Sequence, residues 1–234
     1  MNFDKNTKLL KVQPEFNNIL NVLEGTKTII FKDGKRRYSE FNCSINDLPN
    51  TVTDLSLGFS FDKSIDKLPH SIINLTLGYR FNQKVNMLPK SIIRLTFGHH
   101  FNQCVDNLPD SVTHLTFGHE FNQSVDKLPI NITFIRFGHD FNQRVDKLPP
   151  NLTHLIFGRQ FNQIVNQLPN SITHLTFGHE FNQSVENLPN LIKLINFGSG
   201  FKKTVYNLPP NVQRIYIHDE TLIKKIPFGC TMYV

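Results

Sequence analysis

Histidine is the residue of this sequence best suited to chemistry, and its placement is regular. Of the ten, His114, His154 and His174 fall at multiples of twenty residues from one another, and so do His99, His119, His139 and His179. Acids follow three of the second set, at Glu120, Asp140 and Glu180. Neutral imidazole ligates metals, and its charge changes near physiological pH. Stacked one strand apart, at about 5 Å, such rings could hold an ion or answer to pH. A metal centre needs three or four convergent ligands of defined geometry, whereas here single residues are copied at one interval. The columns therefore read as a polar surface. A pH effect ranks ahead of a metal, because close imidazoles disfavour joint protonation. No metal site and no cofactor are expected.

Other catalytic signatures do not occur. Cys43, Cys104 and Cys230 are odd in number and form no CxxC pair, which argues against a disulfide framework or a Cys-rich zinc site. The sequence holds no P-loop, GxGxxG, HExxH or nucleophile elbow. A regular array also tends to lack the single odd constellation that catalysis needs. We expect no enzyme.

What positions the histidines is an internal repeat. Leu-Pro recurs from Leu48-Pro49 to Leu208-Pro209 in steps of 20 residues, without one insertion. The unit is L-P-x-S-I-T-x-L-x-F-G-x-x-F-N-Q-x-V-x-x. A fixed period of this size marks a solenoid. Twenty residues are too few for a helix pair, and Pro and Gly about ten residues apart leave no room for one ordinary helix. The apolar alternation within I-x-x-L-x-F predicts one short half-buried strand per coil. Stacked in register, these strands form a parallel sheet with neighbours about 4.8 Å apart.

Each column then predicts a role. Ile, Leu or Val at 52 and onward, Leu or Ile from 55 to 215, and Leu or Phe from 57 to 197 point inward. Phe41 to Phe201, including Phe101, Phe121 and Phe141, close the far side of the core. Gly58 to Gly198 follow the strand, where positive φ would permit a sharp corner. Asn82, Asn102, Asn122, Asn142, Asn162 and Asn182 stand beside the Phe column. Corner backbone groups need partners, and a stacked amide can donate and accept along such a ladder. The Phe columns account for much of the unusual composition, 21 Phe with no Trp.

Units such as LPNSITHLTFGHEFNQSVEN resemble FNIP repeats, a leucine-rich-repeat-like family of social amoebae and amoeba-infecting giant viruses. The resemblance covers about residues 41–218. Ile172, Leu175 and Phe177 also match L-x-x-L-x-L directly. It implies a mainly β, leucine-rich-repeat-like solenoid of 20-residue coils on one parallel sheet, curved as in that class. Two departures stand out. Many members have Pro after F-N-x and a longer period, whereas Ser, Lys, Cys, Arg or Ile stands there in this chain. Viral relatives often carry an N-terminal F-box that links them to ubiquitin ligases. Only about 28 residues precede the first recognisable strand, Ile29 to Phe31, too few for that module. A substrate-recognition role in ubiquitin ligation is therefore the second expectation.

The ends carry most of the charge. Residues 1–40 hold eight Lys/Arg and five Asp/Glu, residues 190–234 six and two, and residues 41–189 eleven and twelve. The net +6 thus belongs to the ends, and the solenoid body offers no basic stripe for phosphates. Nucleic-acid binding through the basic caps, with Lys35-Arg36-Arg37, ranks low. Residues 1–40 read as an N-terminal cap with a degenerate first coil, 41–218 as the solenoid, and 219–234 as a C-terminal cap. Phe16, Ile19, Leu20 and Leu23 follow Pro14 at helical spacing, so a short capping helix is expected over 14–24. No apolar run is long enough to span a membrane, and no signal-peptide stretch opens the chain. A cytoplasmic location, host cytoplasm if the protein is viral, follows.

The functional clue lies where the repeat departs from itself. Outward strand positions are mostly Thr, His, Asn or Ser, but Phe134, Arg136 and Ile156 stand there beside His154. An exposed aromatic, an aliphatic and an Arg are the usual ingredients of an interface hot spot. Arg94, His114 and His174 occupy the same outward column. The leading expectation is a non-catalytic scaffold that binds another protein through its sheet face.

Overall fold

The computed structural model describes residues 1–34 and 38–234, so the Lys35-Arg36-Arg37 triplet lies outside the described residues. The chain forms two units, Met1–His119 and Glu120–Val234. In the first, β1 (Asn2–Asp4), β2 (Leu9–Val12), β3 (Thr28–Phe31), β4 (Asp54–Ser56), β5 (Asn74–Thr76), β6 (Arg94–Thr96) and β7 (His114–Thr116) pair in chain order. In the second, β8 (Phe134–Arg136), β9 (His154–Ile156), β10 (His174–Thr176), β11 (Leu194–Asn196), β12 (Arg214–Tyr216) and β13 (Thr231–Tyr233) do the same. All of these pairings are parallel except β1 with β2. The 20-residue coil with one parallel strand, expected from the period, is present throughout the repeats.

Two turns bound each strand. Ile72 N–H donates to the Pro69 carbonyl (3.2 Å) before the strand, and Phe81 N–H donates to the Gly78 carbonyl (3.2 Å) after it. Pro suits the first turn because its missing N–H is not needed there. Register is one coil per step: Leu55 opposes Leu75, and Leu155 opposes Leu175. The middle residue of each repeat strand is buried and its two neighbours face outward. Phe41, Phe61, Phe81 and Phe101 are fully buried, with ring centroids 6.1–6.2 Å apart. In the second unit Phe157 stacks on Phe161 at 3.6 Å within its own coil. Both Phe columns are therefore core, as is the Val column at Val85 to Val205.

Two expectations change. No α-helix occurs among the described residues, and 14–24 consists of turns and irregular chain. The reason is that Phe16, Leu20 and Leu23 have the i, i+4, i+7 spacing of the Phe, Val/Ile and Leu columns, which the coils from Phe41 to Leu208 repeat, for example as Phe61, Ile65 and Leu68. Phe16 stacks on Phe41 at 6.1 Å, so the expected helix is instead a further coil hanging from β2. The repeat glycines do not have positive φ; among the described glycines only Gly25 and Gly229 do. A Cβ on Gly78 would instead overlap the carbonyl oxygen of Gly58, and the same holds for Gly178 against Gly158. Successive backbones approach too closely for a methyl group. The C-terminal stretch joins the sheet as β13, 17 residues after β12 (Arg214 opposite Thr231). A 3-10 turn, Glu220–Leu222, leads there, capped by Asp219, which accepts from Thr221 N–H at 3.0 Å.

Candidate functional site

The outward face of the second unit gathers the irregular residues. Phe134 opposes His154 and Arg136 opposes Ile156 across β8 and β9. The Phe134 and His154 rings lie 6.2 Å apart, and His154 stacks on His174 at 4.3 Å with planes 8° apart. Phe134, His154, Ile156 and His174 are half-buried, and Arg136 is exposed. A hydroxyl one residue earlier orients each imidazole: Thr153 Oγ1 lies 2.9 Å from His154 Nδ1, and Thr173 Oγ1 lies 2.9 Å from His174 Nδ1. Burial first, then the charges of His154, Arg214 and Lys193, hold the His174 imidazole below its ordinary range. Leu194 and Tyr216 continue the apolar character, Tyr216 stacking on Tyr233 at 4.7 Å.

The first unit presents a different face. Arg94 is exposed on β6 and opposes His114, whose Nδ1 lies 2.8 Å from Thr113 Oγ1. Asp54 accepts from Asn74 Nδ2 at 2.6 Å, so this face carries a carboxylate as well as a cation. At the corner beyond the strands, rings stack in an unbroken row. Tyr38, Phe59, Tyr79, His99 and His119 follow at centroid steps of 4.2, 4.5, 4.4 and 4.5 Å, with the Arg80 guanidinium 5.4 Å from the Phe59 ring centroid. The histidine spacing marked the last two rings alone; reading the same column backward would have found Tyr79 and Phe59, whereas Tyr38 lies 21 residues before Phe59, one position off the column. In the second unit that column instead pairs His139 Nδ1 with Asp140 (2.6 Å) and His179 Nδ1 with Ser199 (2.6 Å).

The asparagine column forms a directional ladder in each unit. Asn142 N–H donates to Asn122 Oδ1, Asn162 N–H to Asn142 Oδ1, and Asn182 N–H to Asn162 Oδ1, each at 2.9 Å. Gln183 Nε2 donates to the same Asn162 oxygen at 3.0 Å. In the first unit Asp62 takes the place of Asn and accepts from Asn82 N–H and Gln83 Nε2, both at 2.9 Å. The side-chain oxygen carries this ladder. Asn162→Ala should therefore cost about 1–3 kcal/mol by stranding the Asn182 N–H and leaving Gln183 Nε2 only the Asn162 carbonyl, while Asn162→Asp should stay near native in a urea melt. Equal losses in the two variants would show that the acceptor is not what matters. A second ladder is built by the repeat serines, Ser91 Oγ donating to the Ile72 carbonyl (2.6 Å) and Ser171 Oγ to that of Leu152 (2.7 Å).

These features define a leucine-rich-repeat-like solenoid, a fold used typically for binding proteins along an extended surface. The FNIP Repeat model matches residues 41–79, 81–120, 101–140, 141–180 and 164–200, and the chain belongs to the FNIP-repeat family. Among solved structures it is similar to the giant-virus protein CroV588, a circular LRR protein, at 32% identity with a TM-score of 0.70. The match covers 96% of this chain and 42% of that one, so the chain spans about two fifths of the relative's length. YopM from Yersinia enterocolitica matches at 16% identity and a TM-score of 0.49, over 88% of this chain and 54% of that one. No curated protein matches in sequence. Among the described residues, no helix is long and apolar enough to cross a membrane.

Proposed function

We propose that the chain is a non-catalytic protein-interaction scaffold that binds through the outward faces of its sheets. Phe134, Arg136, His154 and Ile156 would make the principal contacts, with Arg94, His114 and His174 as further contact positions. The observation that carries this reading is the β8–β9 register, which sets an aromatic, an aliphatic, an imidazole and a guanidinium side by side. On β4 to β7 the last outward position of each strand is small and polar, as in Ser56 with Thr76 and Thr76 with Thr96. Residues of the first kind anchor interfaces, because they bury large area at low entropy cost.

The test is affinity capture from native-cell lysate with the intact chain and with the Phe134→Ala/Arg136→Ala double variant, read by mass spectrometry. Both side chains are outside the core, so the variant should melt within a few degrees of the parent. Loss of the captured partner by roughly tenfold or more is the expected outcome for an anchoring pair. An unchanged partner set removes these residues from the interface.

A further inference from the structure

Building on that interface reading, we propose that the sheet face of the second unit recognises an acidic protein segment, one in which Glu or Asp alternate with apolar residues. Charge complementarity selects such a segment. Over β8 to β12, the outward strand positions and the residues just before each strand include Arg136, Lys193, Arg214 and the His154–His174 pair, and no Asp or Glu. The sequence separates these cations widely; the one-coil register brings them to one face, with Leu194 opposite His174 and Arg214 opposite Leu194.

Three carboxylates of this unit are engaged away from that face. Asp140 meets His139 at 2.6 Å, Glu180 lies 3.8 Å from Arg159, and Asp146 pairs with Arg144. The groups facing His174 are then His154 from β9, Lys193 and Leu194 from the β11 segment, and Arg214 from β12, with Arg136 on β8. The charges that act on His174 all belong to basic side chains. On the first unit, by contrast, Asp54 interrupts the same face.

Apolar content points to protein rather than nucleic acid. Phe134, Ile156, Leu194 and Tyr216 lie among the cations, and three permanent charges are too few to track a phosphate backbone. An incoming carboxylate would reverse the repulsion that His174 feels, so docking takes up a proton. Affinity therefore rises as pH falls from about 8 to about 6, and is lost only when the partner's own carboxyls protonate near 4.3.

The experiment uses the full chain and fluorescein-labelled 12-residue probes in which Glu alternates with Leu or Phe, their Gln and Lys twins, and a labelled single-stranded DNA of equal length. Fluorescence anisotropy should rank the Glu peptide roughly five- to tenfold tighter than its Gln twin, the effect of two exposed charge pairs. The Lys193→Glu/Arg214→Glu variant, changed at exposed positions, should reverse the Glu and Lys twins. His154→Asn/His174→Asn should abolish the tightening between pH 8 and 6. Equal binding of Glu and Gln twins, lost in Phe134→Ala/Arg136→Ala, overturns the acidic preference and leaves the interface reading standing. Tighter binding of the DNA strand overturns the proposal in favour of nucleic acid. A Glu preference that survives charge reversal places the peptide on another surface and overturns it too, as does binding of none of the probes.

Discussion

Gly158→Ala should destabilise its unit by about 3 kcal/mol or more, an unusually large effect for one added methyl group. The methyl would overlap the carbonyl carbon and oxygen of Gly138. Those atoms cannot step aside as a flexible side chain would. The coils on either side are tied by main-chain bonds, such as Gln160 N–H to the His139 carbonyl at 2.9 Å. Relief requires opening the ladder itself. Gly25 is the internal control, with φ of +86° and nothing within 4 Å of the place a Cβ would occupy. There alanine should cost only about 1 kcal/mol, and Asn, which tolerates the left-handed region, less. Asn separates the two mechanisms: it should be accepted at position 25 and be at least as damaging as Ala at 158. Urea denaturation of the four variants decides the matter, and a Gly158→Ala protein as stable as its parent would refute the close-approach account.

Phe161→Ala should cost about 3–5 kcal/mol, the range for deleting a fully buried ring. The ring is 0% exposed, stacks on Phe157 at 3.6 Å, and has Phe141 and Phe181 at 6.1 Å on its two sides. Neighbours held in their own coils cannot collapse into the space. Phe161→Leu should recover much of the loss. Because repeat stability is built from nearest-neighbour terms, hydrogen exchange should quicken first in the coils around residues 141–181. Uniform acceleration across the whole chain would contradict that picture. Phe134→Ala offers the contrast, since its half-buried ring is outside the core and should cost far less.

How far these features could be read beforehand depends on whether they are periodic. The strand, the two Phe columns and the Asn column recur every twenty residues, and period-two alternation about Leu155 or Ile135 marks which side chains face outward. The N-terminal coil misled because F-x-x-x-V-x-x-L has the i, i+4, i+7 spacing of an amphipathic helix. Only the recurrence of that spacing at Phe61, Ile65 and Leu68, where no helix exists, reveals its origin. Glycine likewise has two reasons to be required, backbone conformation and proximity, and sequence does not distinguish them. The candidate face was visible as the odd residues Phe134, Arg136 and Ile156. Its lack of carboxylates was not, since that property belongs to a neighbourhood assembled from five separate coils.

The asparagine ladder has a consequence for how such a chain can change its length. Each rung gives an acceptor to the next coil and takes one from the coil before, and repeat glycines such as Gly98 and Gly178 lie against the glycine one step before. A whole unit copied in tandem therefore arrives with all of its connections already matched, whereas a coil of another length must absorb the difference between the columns, as the step from residue 17 to 42 does while keeping the Asn42 N–H to Asn17 Oδ1 bond (2.9 Å) and the Phe16–Phe41 stack. Copy number is thus free to drift more readily than the period. That constraint explains an array whose Leu-Pro steps run from residue 48 to 209 without one slip, and it makes duplication of an intact coil the natural route by which this surface could lengthen.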